Sequence, residues 1–506
     1  MAFARVFSGQ VEYLTGSIIP VEADVTRGLY TFSLIGLADK AVDESKDRVA
    51  AALKNQGFTS PKSKNEKILI SLLPTDKKKE GGYFDVAIAL SYLLATGDIL
   101  FDPAQKLFLG SLSLSGTILP VRGILPIIQK GIEEGFTEFF IPEENINEVS
   151  ILENITLYKV RTLQEVVHHL TGATRIEPYV SGPIFTTKEF LADFSHIKGQ
   201  ENAKRGLLIA AAGGHNIALS GPPGTGKSLL GKAFTSILPP LSYKEIIEVT
   251  GIHTVATGVH TLMHERPFRS PHHTASYVSI VGGGAHVKPG EVTLAHRGVL
   301  FLDEFPEFEK RVLETLRQPL EDNIISVSRA KGSVIFPSNF ILIASMNPCP
   351  CGYYETGVQK CICTQNDILR YQKKISGPIV DRIDLWVYVS PVSYETLNQE
   401  PGKKESPEYQ DIVTRARSIQ AKRFSHTSHL LTNSDMSAKD IVQLAQVSKE
   451  AETILIKSAE KLQLSARSYH RIIKLARTIA DLEASDTIET AHILEALQYR
   501  PKSNDK

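Results

Sequence analysis

The stretch "GPPGTGKS", Gly221 to Ser228, decides how this chain is read. It fills the eight positions of the pattern G-x-x-x-x-G-K-[ST], follows the apolar run "NIALS" and leads into the helix-like "LLGKAFTSI". A Gly-rich loop alone is an ordinary turn, but between a strand and a helix it is a phosphate-binding loop. Gly221, Gly224 and Gly226 let backbone N–H groups turn inward, with Pro222, Pro223 and Thr225 completing the cradle. Lys227 is predicted to meet the β and γ phosphates of ATP, and Ser228 to hold Mg²⁺.

Two further apolar strands follow. "GVLFLDEF" ends in Asp303 and Glu304. An Asp-Glu pair after a strand is often only a solvated strand end; downstream of a P-loop it reads as the second Mg²⁺ ligand, Asp303, and the base that activates the attacking water, Glu304. "FILIASMN" ends in Asn347, placed either to contact the γ-phosphate or its water, or to cap a turn before Pro348.

Outward from this core the chain divides into an α/β class with three parts. Residues 1–175 alternate short β-type runs ("KILISLLP", "EFFIP") with helical patterns ("FDVAIALSYLLATG"). A Gly-, Pro- and Thr-containing linker at 176–192 leads to the P-loop domain at 193–391. A polar linker, 392–408, precedes a helical region at 409–506, where "SYHRIIKLARTIADLEAS" repeats apolar residues at three- and four-residue spacing. Lys plus Arg and Asp plus Glu both number 56, so no overall field points to nucleic acid, and any such site must be local. The opening "MAFARVFSGQVEYLTG" lacks the pattern of a secretory leader, and no apolar run is long enough to span a bilayer, so the expectation is a cytoplasmic protein without membrane contact.

All four cysteines lie in "NPCPCGYYETGVQKCIC": Cys349, Cys351, Cys361 and Cys363, two C-x-C pairs nine residues apart. Four thiolates from two turns can surround Zn²⁺, although a one-residue gap is tighter than the usual two to four. Redox pairing and unliganded thiols stay open beside structural zinc.

In order, the P-loop, "LFLDEF", "SMNP", "GPIVDRIDL" and "SARSYHR" resemble the AAA+ ATPases of the magnesium-chelatase-like group. "RPFRSPHHTAS", "AHRGVLFLDE" and "NPCPCGYY" narrow the resemblance to the ComM/YifB family, over nearly the whole chain. The resemblance implies an AAA+ core with a helical lid, and a hexameric, ATP-driven helicase that moves branched and single-stranded DNA in natural transformation. It implies that Asn347 is sensor 1, Arg382 the arginine finger offered to a neighbouring subunit, and Arg467 sensor 2 in the lid. Taken alone, Arg382 reads equally as half of a surface ion pair with Asp381 or Asp384, and Arg467 as an exposed helix residue. A chelatase-type or protein-remodelling motor without a DNA substrate is the alternative.

The N-terminal part, in "KEGGYFDVAIAL" and "GSLSLSGTILPVRGILPIIQKG", is similar to the Lon-type protease fold. Tyr83 stands where that family places its serine, and Leu125, Pro126 and Ile127 where it needs its lysine, so no peptidase is expected. Two segments offer cations to a substrate. "IISVS" and "SVIF" flank "RAKG" as a hairpin with Arg329 and Lys331 near its tip, either guarding an edge strand or meeting DNA phosphates; the resemblance implies a channel hairpin and the second role. Between the P-loop helix and the Asp-Glu strand, Arg266, Arg269, His272, His273 and Lys288 surround a "GGG" turn, read as a pore-facing loop, with a structural insertion as the other reading. The His-His pair offers no third metal ligand.

Overall fold

The structure is a computed structural model, and it describes residues 3–180, 192–284, 287–329, 332–357, 359–398, 404–427 and 430–501. The chain folds as two compact units, Met1–Thr186 with Tyr243–His264, and Thr187–Ser242 with Glu265–Lys506.

The first unit is built on a seven-stranded sheet. Its strand order is Thr31–Ile35, Glu66–Leu72, Thr15–Arg27, Phe3–Glu12, Lys106–Phe108, Glu138–Pro142, Thr156–Val160. The runs "KILISLLP" and "EFFIP" supply two of these strands, and "FDVAIALSYLLATG" supplies the helix Asp85–Thr96, buried along nearly its whole length. Leu125, Pro126 and Ile127 are buried core residues of the helix Ile124–Glu133. Tyr83 is half-buried against the same apolar cluster, and burial pushes its phenol up to about 12. The segment Tyr243–His264, which lies inside the P-loop domain in sequence, packs here: Ile247 joins the cluster around Ile124–Glu133, and Asn145 Nδ2 lies 2.8 Å from His260 Nδ1.

The second unit holds a five-stranded sheet whose ladders are all parallel, in the order Phe268–Arg269, Val299–Leu302, Ile341–Met346, Ile217–Ser220, Leu385–Tyr388. The two strands between the edge and the P-loop strand are buried at every residue. That is why "GVLFL" and "FILIASM" read as unbroken apolar runs rather than alternating ones: both faces are covered by helices. Helices Glu201–Gly213 and Lys227–Ile237 share one core with this sheet and with lid residues such as Val413, Leu455, Ile472 and Ile479. The lid helices include Ser406–Arg423, Lys449–Lys461, Ala466–Leu482 and Thr490–Gln498. The α/β class with a P-loop core and a helical C-terminal region is as the sequence led us to expect. Among the described residues, no helix is long and apolar enough to cross a membrane.

Candidate nucleotide site

In a parallel sheet the loops leaving the carboxyl ends of adjacent strands converge on one crevice. Here the strands ending at Ser220, Leu302 and Met346 lead directly into the P-loop, Asp303-Glu304 and Asn347. The P-loop helix starts at Lys227 behind Gly226, whose φ of 85° an L side chain would resist.

Lys227 is buried, and its Nζ donates to Gly221 O and Pro222 O, both at 2.8 Å, and to Asn347 Oδ1 at 3.2 Å. Three donors meet three acceptors, so the buried ammonium is satisfied before any phosphate arrives. Burial holds its pKa below the ordinary lysine value, against the opposing pull of Asp303. Ser228 Oγ donates to Asp303 Oδ2 at 2.6 Å, which brings a hydroxyl and a carboxylate together as a hard, all-oxygen donor pair of the kind Mg²⁺ takes. Asp303 Oδ1 in turn accepts from the Glu304 N–H at 3.0 Å. Glu304 sits at φ 52°, a left-handed conformation unusual for glutamate, with its carboxylate exposed and 2.9 Å from His273 Nδ1. Left-handed strain at a non-glycine residue is often kept where function needs the side chain aimed.

Arg382 and Arg467 converge on one carboxylate. The Arg382 guanidinium donates to Glu321 and to Pro378 O at 2.8 Å, and Arg467 Nη2 donates to Glu321 Oε1 at 2.9 Å. Burial, then the charges of Arg467 and Arg317, depress the Arg382 pKa. More positive than negative charge is therefore gathered at this point. The loop that carries Arg382 is tied down on both sides, by Asn216 Nδ2 donating to Arg382 O at 3.1 Å and by Asp384 against His215 Nδ1 at 3.1 Å.

The other cations of the sequence reading fall in different places. Arg266 Nε donates to Pro239 O and its Nη1 to Arg297 O, both at 2.7 Å, so its guanidinium holds loops of its own unit together. Arg269 makes a two-pronged pair with Glu291, at 2.6 and 2.8 Å. His272 Nδ1 is 2.8 Å from Thr274 Oγ1, and Lys288 is exposed on a short antiparallel pair with Gly283. The hairpin forms, Ile324–Arg329 against Gly332–Pro337, with Arg329 opposite Gly332. Lys331 lies outside the described residues, as does the Arg329 side chain.

The four cysteines come together: Cys349, Cys351, Cys361 and Cys363 place all their sulfurs within 4.8 Å of one another, and none is disulfide-bonded. A cavity of about 330 Å³ opens beside the P-loop, lined among others by Gly199, Gln200, Tyr388 and Ser390. Gln200, at φ 64°, donates from Nε2 to Thr225 O at 3.5 Å and so joins this cavity to the loop. Gln200, Glu321 and the His273–Glu304 pairing were not found from the sequence; "GQ" just before a helix is the only signal any of them left.

The family described as "Magnesium chelatase, subunit ChlI" matches residues 193–397, "Subunit ChlI of Mg-chelatase" matches 21–145, and "Magnesium chelatase, subunit ChlI C-terminal" matches 403–500. The chain is 38% identical over 509 residues to Competence protein ComM of Haemophilus influenzae, covering 99% of this chain and 98% of that one. It is 37% identical over 488 residues to YifB of Escherichia coli, covering 95% and 94%. An archaeal Lon protease of Thermoplasma volcanium shares 29% identity over 175 residues, 33% of this chain and 26% of that protease.

Proposed function

The chain belongs to the ComM/YifB branch of the magnesium-chelatase-like AAA+ ATPases, and from that premise we propose its function. It is a cytoplasmic homohexameric motor that hydrolyses ATP to move single-stranded and branched DNA, driving branch migration in natural transformation. ATP is its fuel, Mg²⁺ its catalytic ion, and Zn²⁺ a structural ion on the four cysteines. The carrying observation is the convergence of Lys227, Ser228, Asp303, Glu304 and Asn347 at the ends of three adjacent parallel strands.

In this reading Lys227 exchanges its carbonyl partners for β and γ phosphate oxygens, while the backbone N–H groups of 221–226 cradle the rest. Ser228 and Asp303 hold Mg²⁺, which neutralises phosphate charge when bound. Asn347 orients the attacking water, and Glu304, once released from His273, takes its proton. Arg382 is the finger offered to an ATP held by a second copy and Arg467 is sensor 2 in the lid, each guanidinium giving up its bond to Glu321 to meet phosphate charge. The cavity at Gln200 and Tyr388 has room for the base. The protease-like unit serves assembly or substrate guidance, since Tyr83 has no amine to activate it.

DNA enters through the hairpin that precedes the Asn347 strand, where Arg329 and Lys331 neutralise phosphates without reading sequence. Competence, in the name of the Haemophilus relative, supports the biological setting. Arg266 and Arg269 act in this reading through the shape of the loop they brace, while Lys288 and His272 are its exposed groups.

The test is ATP turnover measured with and without a labelled four-way junction. Stimulation and junction movement are the expected result, and alanine at both Arg329 and Lys331 should remove about two phosphate contacts per subunit from the salt dependence of binding. Turnover indifferent to DNA, with no junction movement, would put a chelatase-type or protein-remodelling motor in its place, the reading that the ChlI family names favour.

A further inference from the structure

The sulfur positions give a geometric measure of the cysteine cluster. Zn–S bonds of about 2.3 Å in a tetrahedron set the sulfurs about 3.8 Å apart. Here Cys349–Cys351, Cys351–Cys361 and Cys349–Cys361 are separated by 3.4, 3.5 and 3.8 Å. Two backbone N–H groups already aim at sulfur, Cys351 N at Cys363 Sγ (3.4 Å) and Tyr354 N at Cys349 Sγ (3.3 Å), the kind of donor that steadies a thiolate around a metal. The middle residues Pro350 and Ile362 are exposed, so each one-residue gap turns its spacer outward while the sulfurs converge.

The surroundings give the cluster a purpose. Cys349 is fully buried, two residues after Asn347, whose side chain accepts from Lys227. Gly352 closes the first turn, its N–H donating to Cys349 O at 3.0 Å, and it lies so close to the P-loop that a Cβ there would stand 2.6 Å from Pro223 Cδ. Cys363 precedes Thr364, which caps the helix Gln365–Gln372, and that helix buries Ile368 and Tyr371.

We propose that one Zn²⁺ bound by Cys349, Cys351, Cys361 and Cys363 acts on ATP hydrolysis, by riveting the segment after Asn347 against the P-loop at Pro223 so that turnover depends on the metal. The inference rests on the ATPase and zinc parts of the reading above and not on DNA. Without the ion nothing would tie Cys349 and Cys351 to Cys361 and Cys363, the two turns would part, and the Gly352–Pro223 contact and Asn347 would lose their fixed positions. Displacements of that order, about 1 Å, cost up to about a hundredfold in rate.

The test uses the full chain and no DNA. Metal analysis of protein purified without added zinc should find about one ion per chain, and Co²⁺ exchanged into the site should show the charge-transfer bands of a tetrathiolate. Titrating the thiols with a mercurial should then release zinc and lower ATP turnover at least tenfold in step; removing the mercurial with excess thiol and returning Zn²⁺ should restore turnover, which a misfolded chain would not do. Cys351→Ser combined with Cys361→Ser should abolish the cobalt bands. A metal-free chain that hydrolyses ATP at the full rate overturns the coupling, and unchanged metal content in the double variant overturns the site. Loss of DNA stimulation alone would touch neither.

Discussion

Gly352 and Gly357 allow the contact between the cysteine turn and the P-loop to be tested against a matched partner in the same segment. Both have positive φ, 88° and 70°, so alanine at either is forced into the left-handed region at a cost of about 1–2 kcal/mol. They differ in what the new methyl meets. At Gly357 there is nothing within 4 Å; at Gly352 the Cβ would stand 2.6 Å from Pro223 Cδ, where ordinary contact begins at 3.4 Å. A proline ring has no rotamer to swing away, so the turn or the P-loop must yield by about 0.8 Å. The phosphate cradle is where that shift is felt, and a misplacement near 1 Å costs up to about a hundredfold. We therefore expect both variants to stay folded by circular dichroism, Gly352→Ala melting somewhat lower, while steady-state phosphate release at a temperature where both are folded falls about ten- to a hundredfold in Gly352→Ala only. Equal turnover in the two variants, or a wild-type rate for Gly352→Ala, would refute the claim that this contact positions the P-loop.

Three further outcomes are expected. Glu304→Gln should retain ATP without turning it over, and Arg382→Ala, inactive alone, should regain partial turnover when mixed with Glu304→Gln subunits; the absence of complementation at every ratio counts against a finger acting between subunits. Glu148 is fully buried, its Oε1 accepting the Ile124 N–H at 2.8 Å, and burial pushes its carboxyl up from 4.5 to about 8. The folded state then holds this proton more tightly than the unfolded state, so the group's contribution favours folding below about pH 4.5 and is lost as pH rises through 8. Glu148→Gln keeps the shape without the charge and should gain in melting temperature relative to wild type between pH 6 and 8.5; a constant difference across that range would refute the assignment.

The parts of this molecule that the sequence discloses are those whose signal is local. "GPPGTGKS" carries its own strand and helix, and the strands ending at Leu302 and Met346 announce double-sided burial by their unbroken apolar runs. The hairpin is likewise written in its two short β runs. What escapes is set by contacts between distant positions. Glu321 is 61 residues from Arg382 and 146 from Arg467, and nothing around it in the chain distinguishes it from other acids. His273 lies in a histidine pair that suggests a ligand set, whereas its nearest charge is the Glu304 carboxylate. The C-x-C pairs leave zinc, redox pairing and free thiols open in the sequence, and how the four sulfurs come together depends on the outward spacers Pro350 and Ile362, which no local pattern discloses. The helix Tyr243–Thr257 is apolar enough for either core, and no local pattern tells which one it joins.

That helix also sets a timetable for synthesis. The first unit needs residues up to His264 to fill the place around Ile247, so on the ribosome it waits, incomplete, while the whole P-loop has already emerged. The P-loop must wait in turn, because its neighbouring strands end at Leu302 and Met346 and its lid core is finished only near Ala496. A chain cut near residue 175 would keep most of the apolar cluster around the Ile124–Glu133 helix and lose the part that Ile247 covers. The first unit therefore closes in two stages, its sheet core first and the Tyr243–His264 segment after the P-loop has been made.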